Sequence, residues 1–256
     1  ENFRERFRID VRVRHEVTAL HPDKKTVSVK NLKTGEEFEE NYDKLLLSPG
    51  ARPVQPNLPG VGIDNLFTLR TVEDTLRIRE FVLKEKPKSA VLAGGGYIGL
   101  EVAENLRELG MDVTIVQRPN QVLNPLDYEM ATFVHAKMRE KGIHLMLGHS
   151  VEGFEQKDGK TMVILKDGEP LKTDMVILAI GVAPDTRLAK DAGISLGIKN
   201  SIVVNERMET SVPDIYAVGD AVEVHHRITG QKALISLAGP ANKQGRIAAD
   251  NIAGIN

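Results

Sequence analysis

The sequence predicts an α/β protein in which a parallel sheet is joined to a smaller antiparallel meander. Three observations lead to this prediction. Strand-like and helix-like segments alternate from about residue 71 to residue 180, a glycine-rich turn joins one such strand to a helix, and short alternating strands come first. With 256 residues, of which 41% are hydrophobic and 27% charged, the chain is long enough to bury a core.

Composition and charge exclude several classes of protein. The 34 basic and 36 acidic residues nearly balance, so we expect no nucleic-acid partner. The absence of cysteine excludes disulfides, thiolate metal sites and cysteine chemistry carried by this chain. The histidines show no metal-ligand spacing, so we expect no metal site. There is no membrane-length apolar run and no signal-peptide pattern, and we therefore expect a cytoplasmic protein without membrane contact.

The first part of the chain predicts an antiparallel meander. Apolar residues alternate along Arg8–Arg14, which predicts the first strand with its arginines on a solvated face. Residues 26–30 predict the second strand, and a third begins at Phe38. The unbroken apolar run of residues 44–47 is typical of a strand buried on both faces.

A proline-rich stretch from Arg52 to Gly62 predicts a linker, after which helices and strands alternate. We expect helices at residues 72–83, 97–109 and 128–141, and strands at residues 90–93, 113–117, 144–147, 151–154, 162–165 and 175–180. Because strand, helix and strand follow one another in this order, the sheet should be parallel.

The glycine turn at residues 94–99 predicts a dinucleotide site, because a GxGxxG pattern here follows a buried strand and opens an amphipathic helix. Gly94 permits the tight turn, Gly96 lets the backbone approach a pyrophosphate, and Gly99 lets the helix pack closely on the strand. The helix N-terminus then offers free N–H groups and a positive dipole end to the phosphates. We therefore predict that this Rossmann-like segment binds NAD(P)H.

The end of the second strand predicts how the adenosine ribose is recognised. NAD-specific sites usually carry an acidic residue there, whereas this sequence has Gln117 followed by Arg118. A 2′-phosphate would not be repelled by Gln117 and could pair with Arg118, which favours NADPH. Use of both nucleotides and a simple solvated role for Arg118 stay open, so the choice between NADH and NADPH is not decided.

Three stretches, residues 91–101, 177–184 and 210–221, together resemble the FAD-dependent pyridine nucleotide–disulfide oxidoreductases, and residues 237–246 resemble the branch that reduces coenzyme A disulfide or persulfides. This resemblance covers essentially the whole chain. It implies a Rossmann-like NAD(P)-binding domain at residues 71–190, inserted in a partial FAD-binding domain. Residues 1–70, with the meander and the strand that leads to Ser48–Gly50, and the return segment 191–256 would form that FAD domain.

The resemblance also implies roles for individual residues near NAD(P)H. Tyr97 would be the aromatic lid over the flavin, and Glu101, one helical turn further on, would help to hold the nicotinamide. Ile98 and Gly181 would lie against the dinucleotide. These residues join the glycines, Gln117 and Arg118 as the expected NAD(P) site.

For FAD, the resemblance implies contacts from three places in the chain. Ser48, Pro49 and Gly50 form a small-residue strand end that would lie against the cofactor. Asp220 would accept a hydrogen bond from a ribityl hydroxyl, with Ala221 beside it. Pro240 and Ala241 open a helix, running to about residue 253, whose positive end would favour negative charge on the flavin ring.

The activity that the resemblance implies is hydride transfer from NAD(P)H to FAD, in an enzyme that reduces a small-molecule disulfide or persulfide such as coenzyme A disulfide. The parent enzyme would be a homodimer. An NADH oxidase or a ferredoxin-reductase-like flavoprotein is the alternative, and so is an NAD(P)-binding module without turnover for the isolated chain.

The sequence departs from the family pattern at two points. The GxGxxG motif for FAD and the redox cysteine are both missing from these residues. We therefore expect a central fragment of a longer protein, with no catalytic residue of the disulfide step and little activity alone. Whether FAD binds without the missing motif, which acceptor takes the electrons and how the fragment assembles cannot be decided from the sequence.

Overall fold

The computed structural model describes residues 2–255 and divides the chain into two compact units. Residues 52–182 form one unit, which we call the central unit. The described residues of 1–51 and 183–256 form the other, the split unit. The chain therefore passes between units twice. The division at residues 70 and 190 that the sequence predicts for the cofactor-binding domains stays a prediction.

Seventeen strands and six α-helices are found in the described residues. The strands are β1 His15–His21, β2 Thr26–Asn31, β3 Glu37–Asn41, β4 Leu45–Leu47, β5 Ala51–Pro53, β6 Leu66–Thr68, β7 Ser89–Ala93, β8 Asp112–Gln117, β9 Ile143–Leu147, β10 Val151–Lys157, β11 Lys160–Leu165, β12 Leu171–Thr173, β13 Met175–Leu178, β14 Val182–Pro184, β15 Ile215–Ala217, β16 Val224–His226 and β17 Gln231–Ala233. The helices are α1 Asn2–Phe7, α2 Val72–Glu85, α3 Tyr97–Glu108, α4 Tyr128–Glu140, α5 Arg187–Asp191 and α6 Ala238–Ile252. None of these helices is long and apolar enough to cross a bilayer.

A five-stranded sheet in the order β6-β13-β7-β8-β9 forms the middle of the central unit, and every pair in it is parallel. The expected parallel sheet, and with it the α/β fold class, is confirmed. Leu92, Ile115 and Ile177 are fully buried in it, because the inner strands are covered on both faces.

The two faces of this sheet are covered differently. Helices α2, α3 and α4 pack on one face, where Ala103, Leu106 and Met138 meet the sheet residues. The antiparallel strands β10, β11 and β12 cover the other face, and alternate residues of β11 are buried against it, as the period of two requires. This arrangement leaves the carboxyl ends of the parallel strands free for loops.

The split unit contains the antiparallel sheet β1-β2-β3 and a separate parallel pair, β15 and β4. Strands β2 and β3 lie where the sequence predicts them. The prediction that residues 44–47 are buried on both faces is wrong, because Leu47 is buried whereas Leu46 remains 38% exposed. In the described residues β4 has one strand partner, β15, whose three residues are all buried, so β4 lies at the less covered edge of the pair.

The strand predicted at Arg8–Arg14 is also wrong. Helix α1 ends at Phe7, residues 8–13 have no regular structure, and β1 begins at His15. The reason is the length of the partner strand, since β2 ends at Asn31 opposite His15 and continues into a turn. Alternation of apolar residues cannot form a strand without a neighbour to pair with.

Asp214 connects the elements of the split unit that lead to its predicted cofactor residues. Its carbonyl oxygen accepts from the Leu45 amide at 2.9 Å, which places β4 beside β15. Its carboxylate accepts hydrogen bonds from the Lys25 and Lys44 ammonium groups. These bonds, and the positive charges that make them, lower the pKa of Asp214 from 3.8 to about 2.

We expect Asp214→Asn to lower the free energy of unfolding at neutral pH and to make it depend less on pH under acid conditions. Because the folded pKa is depressed, the contribution of this carboxylate is complete above pH 3.8 and is lost as the pH falls to about 2. Urea unfolding at a series of pH values measures it. Asp23→Asn, which changes an acidic residue of the neighbouring 3₁₀ turn, is the matched control. If the free energy of unfolding depended on pH in the same way in wild type and Asp214→Asn, the Asp214 carboxylate would not be the stabilising group.

Candidate functional site

At the glycine turn of the central unit, backbone packs directly against backbone, with no room for side chains between. Gly94 follows β7 with a φ of +112°, and a Cβ there would lie 2.3 Å from the carbonyl oxygen of Ala179. At Gly99 a Cβ would lie 2.1 Å from the carbonyl oxygen of Gly94. No side chain fits at either position, so strand, turn and helix approach one another as the sequence pattern predicts.

Gly96, in contrast, faces open space. It is the N-cap of α3, and nothing lies within 4 Å of the Cβ that it lacks. The Leu100 amide donates to the Gly96 carbonyl, so the N–H groups of Tyr97, Ile98 and Gly99 precede the first helical hydrogen bond. Free amides, a positive helix end and room for a ligand fit the pyrophosphate of a dinucleotide.

Gln117 has a role that the sequence did not reveal. Its side-chain oxygen accepts from the Gly95 amide at 2.9 Å, and its side-chain nitrogen donates to the carbonyl oxygen of Gln121 at 3.1 Å. The side chain is buried, and its bond to Gly95 helps to fix the conformation of the glycine turn. Arg118 is exposed, and its guanidinium has no hydrogen-bond or ion-pair partner in the part of the chain that the structure describes. Ribose contacts by both residues stay predictions.

A short turn after β8, formed by residues 121–126, packs against the glycine turn. The Leu123 amide donates to the Gly95 carbonyl at 2.8 Å, and Val122 is fully buried. A Cβ at Gly95 would lie 2.8 Å from the Cγ1 of Val122. Sequence reasoning missed Val122, since a single valine in a polar loop has no periodic signal.

The residues predicted at the nicotinamide end lie on accessible parts of the central unit. Tyr97 is 52% exposed, and Glu101, one turn further along α3, is exposed as well. Ile98 is half-buried. Gly181 has a φ of +116° and open space beside it, and its carbonyl accepts from the Val54 amide at 3.0 Å. Their contacts with a nucleotide stay predictions.

In the split unit, two of the predicted FAD segments follow neighbouring parallel strands. Ser48-Pro49-Gly50 follows β4 and Gly219-Asp220-Ala221 comes after β15, with Leu47 opposite Ala217. The Val218 amide donates to the Leu47 carbonyl at 3.0 Å. The carboxyl ends of paired parallel strands meet at one sheet edge, which is where ligands bind in such sheets. The two segments are therefore brought together, and their contact with a shared cofactor stays a prediction.

Helix α6 is tied to the same edge. It begins at Ala238, two residues before the predicted start, so that Pro240 and Ala241 lie within its first turn. Gln244 is buried, and its side-chain oxygen accepts from the Gly219 amide at 2.7 Å. The sequence contained Gln244 in a recognised stretch but gave no reason to single it out. No group of three or more potential metal ligands occurs among residues 2–255.

Each unit brings together glycine or small-residue segments at the ends of parallel strands, and the sequence predicts a dinucleotide site in each. A family profile described as pyridine nucleotide-disulphide oxidoreductase matches residues 2–245. The chain belongs to this family, as the resemblance of its motifs indicates.

Individual relatives agree with this membership. The chain is 41% identical over 257 residues to an NADH oxidase of Methanocaldococcus jannaschii, covering 100% of this chain and 56% of that protein. It is 36% identical over 254 residues to coenzyme A disulfide reductase of Staphylococcus aureus, and the match covers 99% of this chain and 56% of that protein. It therefore spans about half the length of these relatives.

Solved structures give the same result. The structure of reduced Bacillus anthracis CoADR-RHD matches with a TM-score of 0.95 and 46% identity, over 99% of this chain and 45% of that one. An NAD-dependent persulfide reductase from A. fulgidus matches with a TM-score of 0.93 and 37% identity, and the match covers 98% of this chain and 46% of that one.

We expect two glycine substitutions to separate folding from nucleotide binding. Gly96→Ala should fold normally but weaken NAD(P)H binding about tenfold or more, because the methyl group occupies the open face. Gly94→Ala should destabilise the central unit by more than backbone strain alone, which costs about 1–3 kcal/mol, because its Cβ would also clash with the Ala179 carbonyl. Thermal unfolding and binding calorimetry measure the two effects.

Gly62→Ala is the matched control, since Gly62 lies in the same unit, has open space around its missing Cβ and is distant in sequence from the turn. It should change neither quantity. If Gly96→Ala bound the nucleotide as tightly as wild type, the glycine turn would not be part of the binding site.

Proposed function

We propose that this chain is the cofactor-binding centre of a flavin-dependent oxidoreductase, in which hydride passes from NAD(P)H to FAD. The single observation that carries the proposal is the open face at Gly96, where free helix amides meet space that nothing in the central unit fills. Family membership supports the same conclusion.

Each unit would contribute its own residues. In the central unit Gly94, Gly96 and Gly99 shape the pyrophosphate site, Gln117 and Arg118 lie at the ribose, and Tyr97, Ile98, Glu101 and Gly181 hold the nicotinamide end. In the split unit Ser48, Pro49, Gly50, Asp220, Ala221, Pro240 and Ala241 would hold FAD. When bound, NAD(P)H supplies the hydride and FAD accepts it, while the protein provides position and electrostatics.

For the whole protein we propose reduction of a small-molecule disulfide or persulfide, such as coenzyme A disulfide. The names of the Staphylococcus aureus and A. fulgidus relatives support this substrate class. Since the 256 residues contain no cysteine, a thiol for that step would have to lie outside them. We further propose a cytoplasmic homodimer that acts without nucleic acid or membrane.

A second candidate function is NADH oxidation with another electron acceptor. It is favoured by the name of the Methanocaldococcus jannaschii relative, an NADH oxidase that is 41% identical to this chain. Both candidates share the step from NAD(P)H to FAD and differ only in what the flavin then reduces.

Flavin retention tests the proposal directly. We expect the purified chain, incubated with FAD and desalted, to keep a protein-shifted flavin spectrum, and NAD(P)H added without oxygen to bleach it. Gly96→Ala should keep the flavin but bleach more slowly at the same nucleotide concentration. A colourless chain that still binds NAD(P)H would reduce the function to a nucleotide-binding module. Retained flavin that neither nucleotide bleaches would contradict the hydride step.

Arg118 should determine how well NADPH binds relative to NADH. We expect Arg118→Ala to weaken NADPH binding about tenfold and to leave NADH binding nearly unchanged, since a charge-assisted hydrogen bond contributes about 1.5–3 kcal/mol. Calorimetric titration with both nucleotides measures the difference. Arg79→Ala, an exposed arginine on α2 of the same unit, controls for the loss of one positive charge. Equal losses for both nucleotides would disprove a 2′-phosphate contact.

A further inference from the structure

The turn of residues 121–126 is held in a shape that it would not adopt alone. Leu123 has a φ of +49°, in the left-handed region that side chains other than glycine rarely occupy. Such a residue persists only where surrounding contacts impose it. The Leu126 amide bonds to the Leu123 carbonyl at 2.8 Å, and the Gln121 side chain bonds to the Leu126 carbonyl at the same distance.

Contacts from outside the turn attach it to the nucleotide site and to α4. Gln117 and Gly95 bind it on the side of the glycine turn. On the other side the backbone amide of Val122 donates to Nε2 of His135, at 3.1 Å. Both groups are buried, with Val122 at 0% and His135 at 4% exposure, so water cannot replace this bond.

The bond requires one protonation state of His135. Nε2 can accept from the Val122 amide only when it carries no proton, which means a neutral ring with its hydrogen on Nδ1. A second proton would place two N–H groups against each other, and the turn would lose its attachment to α4. Val122 would then be held against Gly95 only through the bonds of its neighbours Gln121 and Leu123.

We propose that neutral His135 is a positioning residue for NAD(P)H, because it holds Val122 against the glycine turn and releases it when protonated. The inference rests on the proposed nucleotide site and adds a residue that touches no cofactor. Its consequence is that nucleotide affinity falls when the pH falls, although no titrating group needs to contact the nucleotide.

The surroundings of His135 favour the neutral ring. Burial lowers the pKa of His135 below its ordinary value of 6.5, and the charge of Arg139, on the same helix, lowers it further. The ring of Tyr128 lies edge-on, with centroids 6.5 Å apart. Other charged or titratable groups on the adjoining elements are Arg118 and Asp127, which are exposed, and His144 on β9, which pairs with Asp112.

The sign of the pH effect follows from this direction. Because the folded pKa of His135 lies below the unfolded value near 6.5, the neutral ring stabilises the fold fully above that pH. The stabilisation is lost as the pH falls through the folded pKa. Binding of NAD(P)H, which needs the ordered turn, should weaken over the same range.

Binding calorimetry with NADPH from about pH 8 to about pH 5 tests the inference. We expect wild-type affinity to fall as the pH falls through the folded pKa of His135, which lies below 6.5. His135→Gln, which places a non-titrating amide oxygen near the position of Nε2, should bind well with a flatter pH profile. His135→Phe, which keeps a ring but no acceptor, should bind weakly at every pH.

His149→Gln is the matched control, because His149 is the other histidine near the end of β8, and its backbone amide bonds to the Gln117 carbonyl at 3.2 Å. It should keep the wild-type profile. If His135→Gln keeps the wild-type profile instead, or if His135→Phe binds NADPH as wild type does, the inference is overturned and the nucleotide site stands.

A measurement without nucleotide separates this inference from the proposed function. Hydrogen exchange of the Val122 amide, followed by NMR, should be slow at neutral pH and much faster at acid pH in the wild type, after correction for intrinsic exchange. In His135→Gln it should stay slow. If the wild type binds no NAD(P)H at any pH, the proposed function fails, and the Val122 amide still decides whether His135 holds the turn.

Discussion

The close approach of backbone to backbone at Gly94 and Gly99 is the constraint on which the central unit depends. Ala179 lies against Gly94, and Gly94 against Gly99, at distances that exclude any Cβ. This contact places the N-terminus of α3 at the carboxyl end of the sheet, with its free amides directed outward. The helices, the second sheet and the turn after β8 then surround a turn whose shape is already restricted.

Much of this arrangement could be predicted from the sequence because its signals are local. A buried strand, a glycine pattern and an amphipathic helix occur in one short stretch, so the position of the glycine turn needed no tertiary information. Strand β1 could not be predicted, since alternation at Arg8–Arg14 shows what a strand could bury but not whether a partner lies opposite. The prediction that Leu46 is buried was wrong for a similar reason. Whether another element packs on a given face of a strand depends on the fold and cannot be read from the strand's own residues. The acceptor role of His135 could not be predicted either, because it depends on a turn thirteen residues away.

The two units use a similar device that no motif reveals. In each, a buried glutamine oxygen accepts from the amide of a glycine at a strand end, Gln117 from Gly95 and Gln244 from Gly219. A neutral amide satisfies a buried N–H without bringing a charge beside the phosphates of a bound dinucleotide. It can also donate, as Gln117 does to Gln121, which a carboxylate could not do.

The two hydrogen bonds of the Gln117 side chain, to Gly95 and to Gln121, limit which residues can replace it. Here an acidic side chain would face the Gln121 carbonyl oxygen with no hydrogen to offer, so the exchange would disturb the architecture of the loop. Substitution of Gln117 would therefore require compensating changes in the loop, whereas the exposed Arg118 could change without them.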